Sequence, residues 1–380
     1  MLAIRGGSEL VALWAQLGSV FDLVAAVALS GIGTGLSVLV VQAAHADEQH
    51  RLLREAIKLG LAASFPVLVL LCAGAWGWGE RLAMGALPPW LIAVSAFAGW
   101  TAIISGMLNS YWLGQQRRDL MLALALGSAM LPLAAAGSVP LDQLLPFVAL
   151  ASGAPALVAL FVLRKSSAPE SSETRGLGRR ALLRYLLPGV AIGILSPASM
   201  FAARAIVSDA MSWHDAGLLQ ALWRVSDWVG SIAGGLISVY FLPRLTAAVG
   251  SSALRRELRR AAQLIVAPAA LAFLVLFLFQ RHIFAWLYDE SFRISDATVA
   301  LFFIGSLVRI AAWIPLFALY AMKRTGAITA GEFLSLPLFA LLLALFSRSL
   351  DLEGASALWL SSYLVYCAFN YWVAWPRWKP

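Results

Sequence analysis

From Leu10 to Val41 the chain carries a single charged side chain, Asp22. A bilayer's hydrocarbon core takes about 20 apolar residues of helix, and a run of this length has no place on a water-soluble surface. The pattern recurs, making eleven apolar segments. They lie near Leu10–Val41, Leu53–Trp76, Leu87–Leu108, Leu120–Ala136, Leu144–Leu163, Leu182–Val207, Ala216–Leu242, Ala261–Phe279, Thr298–Met322, Ile328–Phe346 and Ala355–Trp375. At roughly 30–35 residues per span with its loop, the 380 residues hold 11 or 12 spans and no separate soluble domain. The composition agrees: 61% is hydrophobic and 13% charged, against about 45–50% and 25% in soluble domains. Segments this long span as helices rather than barrel strands, so the fold class is an all-α integral membrane protein.

Most loops are short, as in Gly137–Gln143 and Met322–Ala327, which makes neighbouring helices antiparallel. Loops two apart share a side. One set of alternate loops holds twenty basic residues, among them Arg51, Arg54, Lys58, Arg244, Arg255, Arg256, Arg259 and Arg260; the other holds six, counting Arg204 at the outer end of the sixth segment. The positive-inside rule places the richer set in the cytoplasm, with the C-terminus; eleven spans then put the N-terminus outside. The net charge of +8 is thus a topology signal, and no nucleic-acid partner is expected.

The polar stretch Arg164–Arg180 (RKSSAPESSETRGLGRR) reads as a cytoplasmic linker. Residues 1–163 then form an N-terminal lobe of five helices, and residues 181–380 a C-terminal lobe of six. Restoring one upstream helix would make two six-helix halves that both start on the cytoplasmic side. Such parallel repeats, related by an axis along the membrane normal, are a common way to build a transporter.

Charges within spans cost at least about 2.5–3.5 kcal/mol each and mark pathways or internal pairs. The spans carry Asp22, Arg204, Arg224, Asp227, Arg309 and Glu332. Read as structure, they neutralise one another: Arg224 with Asp227 three residues on, or Arg309 with Asp227 or Glu332. Read as function, Arg204, Arg224 and Arg309 bind an anionic headgroup, because a guanidinium's planar fork grips two phosphate oxygens. Asp227, Glu332 and Asp22 then balance that charge or carry a coupling proton or sodium. Trp223, Trp228 and Trp313 flank these charges and could stack on sugar faces. Most other tryptophans read as interfacial anchors, as in Trp76-Gly77-Trp78 and Trp372–Trp378.

The remaining motifs carry no chemistry. Gly31-Ile32-Gly33-Thr34-Gly35 has no strand before it and reads as close helix packing, not a nucleotide loop. His45–His50 reads as a solvated loop, not a metal site, and Cys72 and Cys367 lie in apolar runs. No catalytic triad or acid pair is spaced for an enzyme, and no cofactor or metal is expected.

The stretch Ser212–Val249 resembles the start of the second half of Wzx-type flippases, of the multidrug/oligosaccharidyl-lipid/polysaccharide (MOP) exporter superfamily. The likeness rests on Gly217, Gln220, Ser226-Asp227 and Val239–Leu245. It also rests on Leu108-Asn109 ahead of Gly114–Arg117, on Arg204, on Glu332, and on a basic residue at Arg309. It is strongest to lipid III flippases of enterobacterial common antigen and to O-antigen translocases. The opening Gly7–Leu36 looks like that family's second helix, so the first of its usual twelve is expected to be missing. The resemblance implies a V-shaped, two-lobed transporter of the bacterial inner membrane. It would move an undecaprenyl-pyrophosphate-linked oligosaccharide to the periplasmic leaflet, with membrane lipid, glycan polymerase and chain-length proteins as partners. The alternatives are a cation-coupled multidrug exporter of the same superfamily and a membrane glycan polymerase or ligase. The latter needs a catalytic outer loop, and the longest one, about Gln280–Ala297, has no such groups.

Overall fold

The computed structural model describes residues 2–43, 45–77, 87–138, 140, 144–156, 175–251, 253–288, 292–322, 324–346 and 351–374. Among them every regular element is a helix. In chain order these are α1 (Leu2–Ala28), α2 (Thr34–Gln42), α3 (Ala46–Gly77), α4 (Pro89–Gly114), α5 (Arg118–Ser138), α6 (Leu144–Gly153) and α7 (Arg175–Ala210). Then follow α8 (Trp213–Leu236), α9 (Leu242–Ala248), α10 (Ala253–Leu278), α11 (Gln280–Leu287), α12 (Asp296–Ala321), α13 (Thr325–Phe333), α14 (Leu336–Phe346) and α15 (Leu352–Ala374). Each of the eleven apolar segments contains described helix.

Six helices among the described residues are long and apolar enough to cross a bilayer: Gly7–Val41, Ala46–Gly77, Pro89–Gly114, Ala253–Leu278, Asp296–Ala321 and Gly326–Phe346. With 24 and 23 residues, α8 and α15 match them in length but carry polar stripes. Arg224 and Asp227 belong to α8, whereas Arg309 lies on α12 and Glu332 on α13.

Among the described residues two helices are interrupted by a π-turn. α1 passes into α2 through Leu29–Gly33, and α8 into α9 through Ile237–Phe241. In the two-repeat reading these are the same helix of each half, so both halves break their ladder in the same helix. Single π-turns are uncommon and gather at functional sites.

The chain divides into two compact units. The first is Met1–Arg5 with Leu13–Phe201, and the second is Gly6–Ala12 with Ala202–Pro380. The division falls inside α7. The stretch read as a linker is outside the described residues up to residue 174; its end, Arg175–Arg180, opens α7. The segment Gly6–Ala12 joins the second unit, where Ser8 Oγ and His214 Nδ1 share a hydrogen bond. Gly7 takes a left-handed φ of 66° at the break in α1, a conformation only glycine adopts at no cost.

In the first unit Ile32, Leu36 and Val40 pack against Leu53, Ile103 and Met107, and Leu17, Val20 and Val24 against Leu91, Ile92 and Ala96. Polar glue joins the layers: Ser95 Oγ donates to the Leu17 carbonyl at 2.7 Å, and Trp100 Nε1 to the Leu61 carbonyl at 3.0 Å. In the second unit α12 lies along α15 and also meets α8 and α10. Gly305 permits that approach: a Cβ there would stand 2.9 Å from the Leu360 Cα and 3.1 Å from its N.

Candidate functional site

Two pairs of residues set the mid-membrane site, each four apart on its helix. Gly230 and Gly234 leave a notch in α8, and Arg309 and Trp313 of α12 lie in it. A Cβ at Gly230 would stand 3.1 Å from Arg309 Nη2, and one at Gly234 3.4 Å from the Trp313 ring. Arg309 is the fourteenth residue of the 26 in α12, and Asp227 the fifteenth of the 24 in α8. At about 1.5 Å per residue both lie roughly 20 Å from a helix end, near the middle of a hydrocarbon core about 30 Å thick.

There Arg309 Nη2 donates to Asp227 Oδ1 at 2.8 Å. The guanidinium is held by rings as well, its centre 5.5 Å from Trp313, 5.6 Å from Trp359 and 5.9 Å from Tyr363. Cation–π contacts are worth about 0.5–2 kcal/mol each and offset part of the desolvation. The pair is not sealed. The Asp227 side chain is 40% exposed and that of Arg309 11%, and Arg309 Nε has no hydrogen-bond partner. A guanidinium with a spare donor and a partly wetted counter-ion can exchange the carboxylate for another anion.

The rest of the site comes from α15. Trp359, Tyr363, Tyr366 and Asn370 follow one another at helical spacings of four, three and four, and all are buried. Trp359 stacks on Phe302 at 4.8 Å, and its Nε1 donates to Ser306 Oγ at 3.2 Å. The Tyr366 hydroxyl donates to Glu332 Oε1 at 3.3 Å. Asn370 is buried beyond it, with Gly331 against its Oδ1. The sequence reading missed this stripe. Its signal was the period of the polar and aromatic residues, masked by the many tryptophans near the C-terminus.

The structure separates the other candidates. Arg204 is 1% exposed, its Nη1 donates to Gln220 Oε1 at 2.7 Å, and it lies 5.9 Å from the Trp223 ring. Trp223 is 1% exposed, with its ring edge-on to Phe302, Phe339 and Trp359, so protein covers it in this conformation. Arg224 is exposed, and the ion pair of Asp227 runs to Arg309 rather than to Arg224 three residues before it. Trp228 is half-exposed, and Trp313 lies against Arg309. Glu332 has no ion-pair partner among the described residues and is joined to Tyr366. Asp22 belongs to the first unit and is exposed.

No protein-family model and no curated protein matches this sequence. Solved structures do match its fold. An inward-facing multidrug resistance MATE family transporter of the MOP superfamily superposes with a TM-score of 0.83 at 13% identity, over 100% of this chain and 92% of that one. The lipid II flippase MurJ, in an inward closed conformation, superposes with 0.70 at 14% identity, over 98% and 83%. A MOP superfamily transporter from Pyrococcus furiosus, whose binding pocket is described as reversed in polarity, gives 0.68 at 13% identity, over 98% and 88%. The chain is an all-α membrane protein with the MOP transporter fold.

Proposed function

We propose that this protein is a flippase. It carries an undecaprenyl-pyrophosphate-linked oligosaccharide, of the O-antigen or enterobacterial common antigen kind, across the bacterial inner membrane by alternating access. The observation that carries the reading is Arg309: a mid-membrane guanidinium with an unbonded Nε and a counter-ion that is 40% exposed. A diphosphate entering the site takes over the guanidinium's donors, and Asp227 turns to water. When the substrate leaves, Asp227 returns, so an arginine is never left bare at the membrane's middle. The wide likeness to Wzx-type sequences and the fold shared with a lipid II flippase support the same reading. Arg224 is one further phosphate contact on α8, Trp228 a sugar platform, and the buried Arg204 holds Gln220. The C-terminus is cytoplasmic under the positive-inside rule, and the polymerase and chain-length proteins take the product.

The test is deletion of the gene. The expected result is a lipid-linked oligosaccharide that accumulates on the cytoplasmic leaflet and is cleared by the restored gene. Intact surface glycan and no accumulated intermediate would sink the reading.

The notch supplies a finer prediction. Gly230→Leu pushes Arg309 off its position and should lower export about tenfold or more, since misplacements near 1 Å have that scale of effect. Gly235→Leu, where a Cβ meets nothing within 4 Å, should export normally. Equal export by the two variants at equal protein level would remove Arg309's placement from the mechanism.

One observation favours a second reading, a cation-coupled multidrug exporter. Glu332 is an acid within the membrane with no ion-pair partner among the described residues, and MATE transporters share the fold. That reading predicts efflux of cationic dyes that Glu332→Gln abolishes; the flippase reading predicts no dye efflux.

A further inference from the structure

The outer loop that offered no catalytic groups contains a cavity of about 560 Å³, lined by Gln280, Arg281, Phe284, Ala285, Phe292, Arg293 and Ile294. It lies in the second unit where α10 ends and α12 begins. The arginines Arg255, Arg256, Arg259 and Arg260 are at the opposite end of α10, all exposed. The positive-inside rule makes the cavity end the non-cytoplasmic one.

Its walls are set by α11. Gln280 and Phe284, 6% and 3% exposed, turn inward, while Trp286 is 81% exposed. A short helix with one apolar face and an exposed tryptophan lies in the interface, at the level of lipid headgroups. Phe284, Tyr288 and Phe292 stack in series at 6.0 Å and 4.6 Å and stiffen one wall. Burial outweighs the opposing pull of the Arg224 charge and leaves the Tyr288 phenol pushed up to about 12. The phenol thus stays neutral and adds no negative charge to the wall.

Among the described residues, two arginines and one carboxylate, Asp296, border the cavity. Gln280 Nε2 donates to Asp296 Oδ1 at 3.0 Å, so this carboxylate is already engaged. Arg281 reaches its other oxygen only loosely, at 3.7 Å, with the side chain 83% exposed. Arg293 is exposed and has no ion pair among the described residues. Asp289 and Glu290 lie outside the described residues. Two arginines therefore border a headgroup-deep cavity whose size falls within the roughly 300–1,000 Å³ of small-ligand sites.

We propose that this cavity binds the phosphate-bearing headgroup of a lipid in the non-cytoplasmic leaflet, with Arg281 and Arg293 gripping the phosphate and the chains remaining in the bilayer beside Trp286. Two guanidinium forks suit a phosphate, whose oxygens they bind in pairs, better than a neutral head. The phosphate has two sources: a resident anionic phospholipid, or a lipid diphosphate arriving from the other leaflet. The first source is independent of the flippase reading, and the second rests on it.

The test uses the full-length protein in detergent micelles and native mass spectrometry. The lipids are phosphatidylglycerol, undecaprenyl pyrophosphate and, as the phosphate-free control, diacylglycerol. Arg281→Gln with Arg293→Gln removes the charge; Ala285→Trp fills the cavity and leaves both arginines. All three positions are exposed, so the variants should fold, with unchanged melting temperature as the check. Both variants should bind at least one of the two phosphorylated lipids about tenfold more weakly, and diacylglycerol no differently from the parent. A loss confined to phosphatidylglycerol identifies a resident lipid, and one confined to undecaprenyl pyrophosphate a release station; each upholds the site. Unchanged binding by the arginine variant overturns it. So does a loss in the arginine variant that Ala285→Trp does not share, which would mean surface attraction without a cavity.

Discussion

Replacing both members of the mid-membrane pair, Asp227→Asn together with Arg309→Gln, should leave export of lipid-linked oligosaccharide at least about tenfold below the parent at normal protein level. The singles behave differently. Removing one partner of a fully buried pair costs about 3–5 kcal/mol, and less here because water reaches Asp227; removing both is often close to neutral. Asp227→Asn and Arg309→Gln alone should therefore lower protein level or melting temperature, and the double variant should recover most of it. Recovery of fold without recovery of export is the signature of a guanidinium that binds substrate. If Arg309 served only to neutralise Asp227, the double variant would export normally. That result would move the anion site elsewhere, with Arg224 the next arginine on α8. Arg309→Lys refines the outcome: it keeps the charge and loses the fork, so export should fall between the parent and the double variant.

Trp359→Ala should destabilise the protein by about 3 kcal/mol, the lower end of the usual aromatic-to-alanine range. Lipid is as apolar as the protein interior, so the transfer contribution largely vanishes and the packing contribution remains. That contribution is large here. Trp359 is 0% exposed, stacks on Phe302, meets Trp223, Phe339 and Tyr363 edge-on, and donates to Ser306. For a chain of 380 residues the melting temperature should fall by roughly 4 °C in detergent. Trp372→Ala, at 72% exposure, should shift it by less than about 2 °C. A reversed order would mean that the ring stack of α12 and α15 does not hold the second unit together. Trp359→Ala also removes a ring from around Arg309, so export should fall beyond what the loss of protein explains.

These two tryptophans show where sequence reading stops. Both lie in the last apolar segment, thirteen residues apart by their numbers, and the sequence assigns clustered tryptophans near span ends to the interface. For the exposed Trp372 that assignment is compatible with the structure, but Trp359 is the centre of a core. The same holds for the charges. Asp227, Arg309 and Glu332 stood out because a charge in an apolar run is costly wherever it points. Their pairing did not, since Arg224 was as near to Asp227 along the chain as helical spacing allows. The glycines at 230 and 234 were visible as small residues, with nothing to say that Arg309 and Trp313 would fill them.

What the sequence by itself determined is what each segment can state alone. Eleven apolar runs mean helices in a membrane, because an unsatisfied backbone in lipid costs several kcal/mol and the helix satisfies it locally. The interior charges were legible for the same reason, since lipid penalises each of them on its own. Tertiary structure decided which helices face each other, and therefore which carboxylate meets which guanidinium. It also decided that Trp223 and Arg204 are buried, that α15 lines the site with a polar aromatic stripe, and that Gln280, Phe284 and Phe292 border a cavity. These depend on contacts between residues as far apart as 227 and 309. Hydropathy carries no information about such contacts, because every apolar face of a membrane helix accepts lipid and protein almost equally.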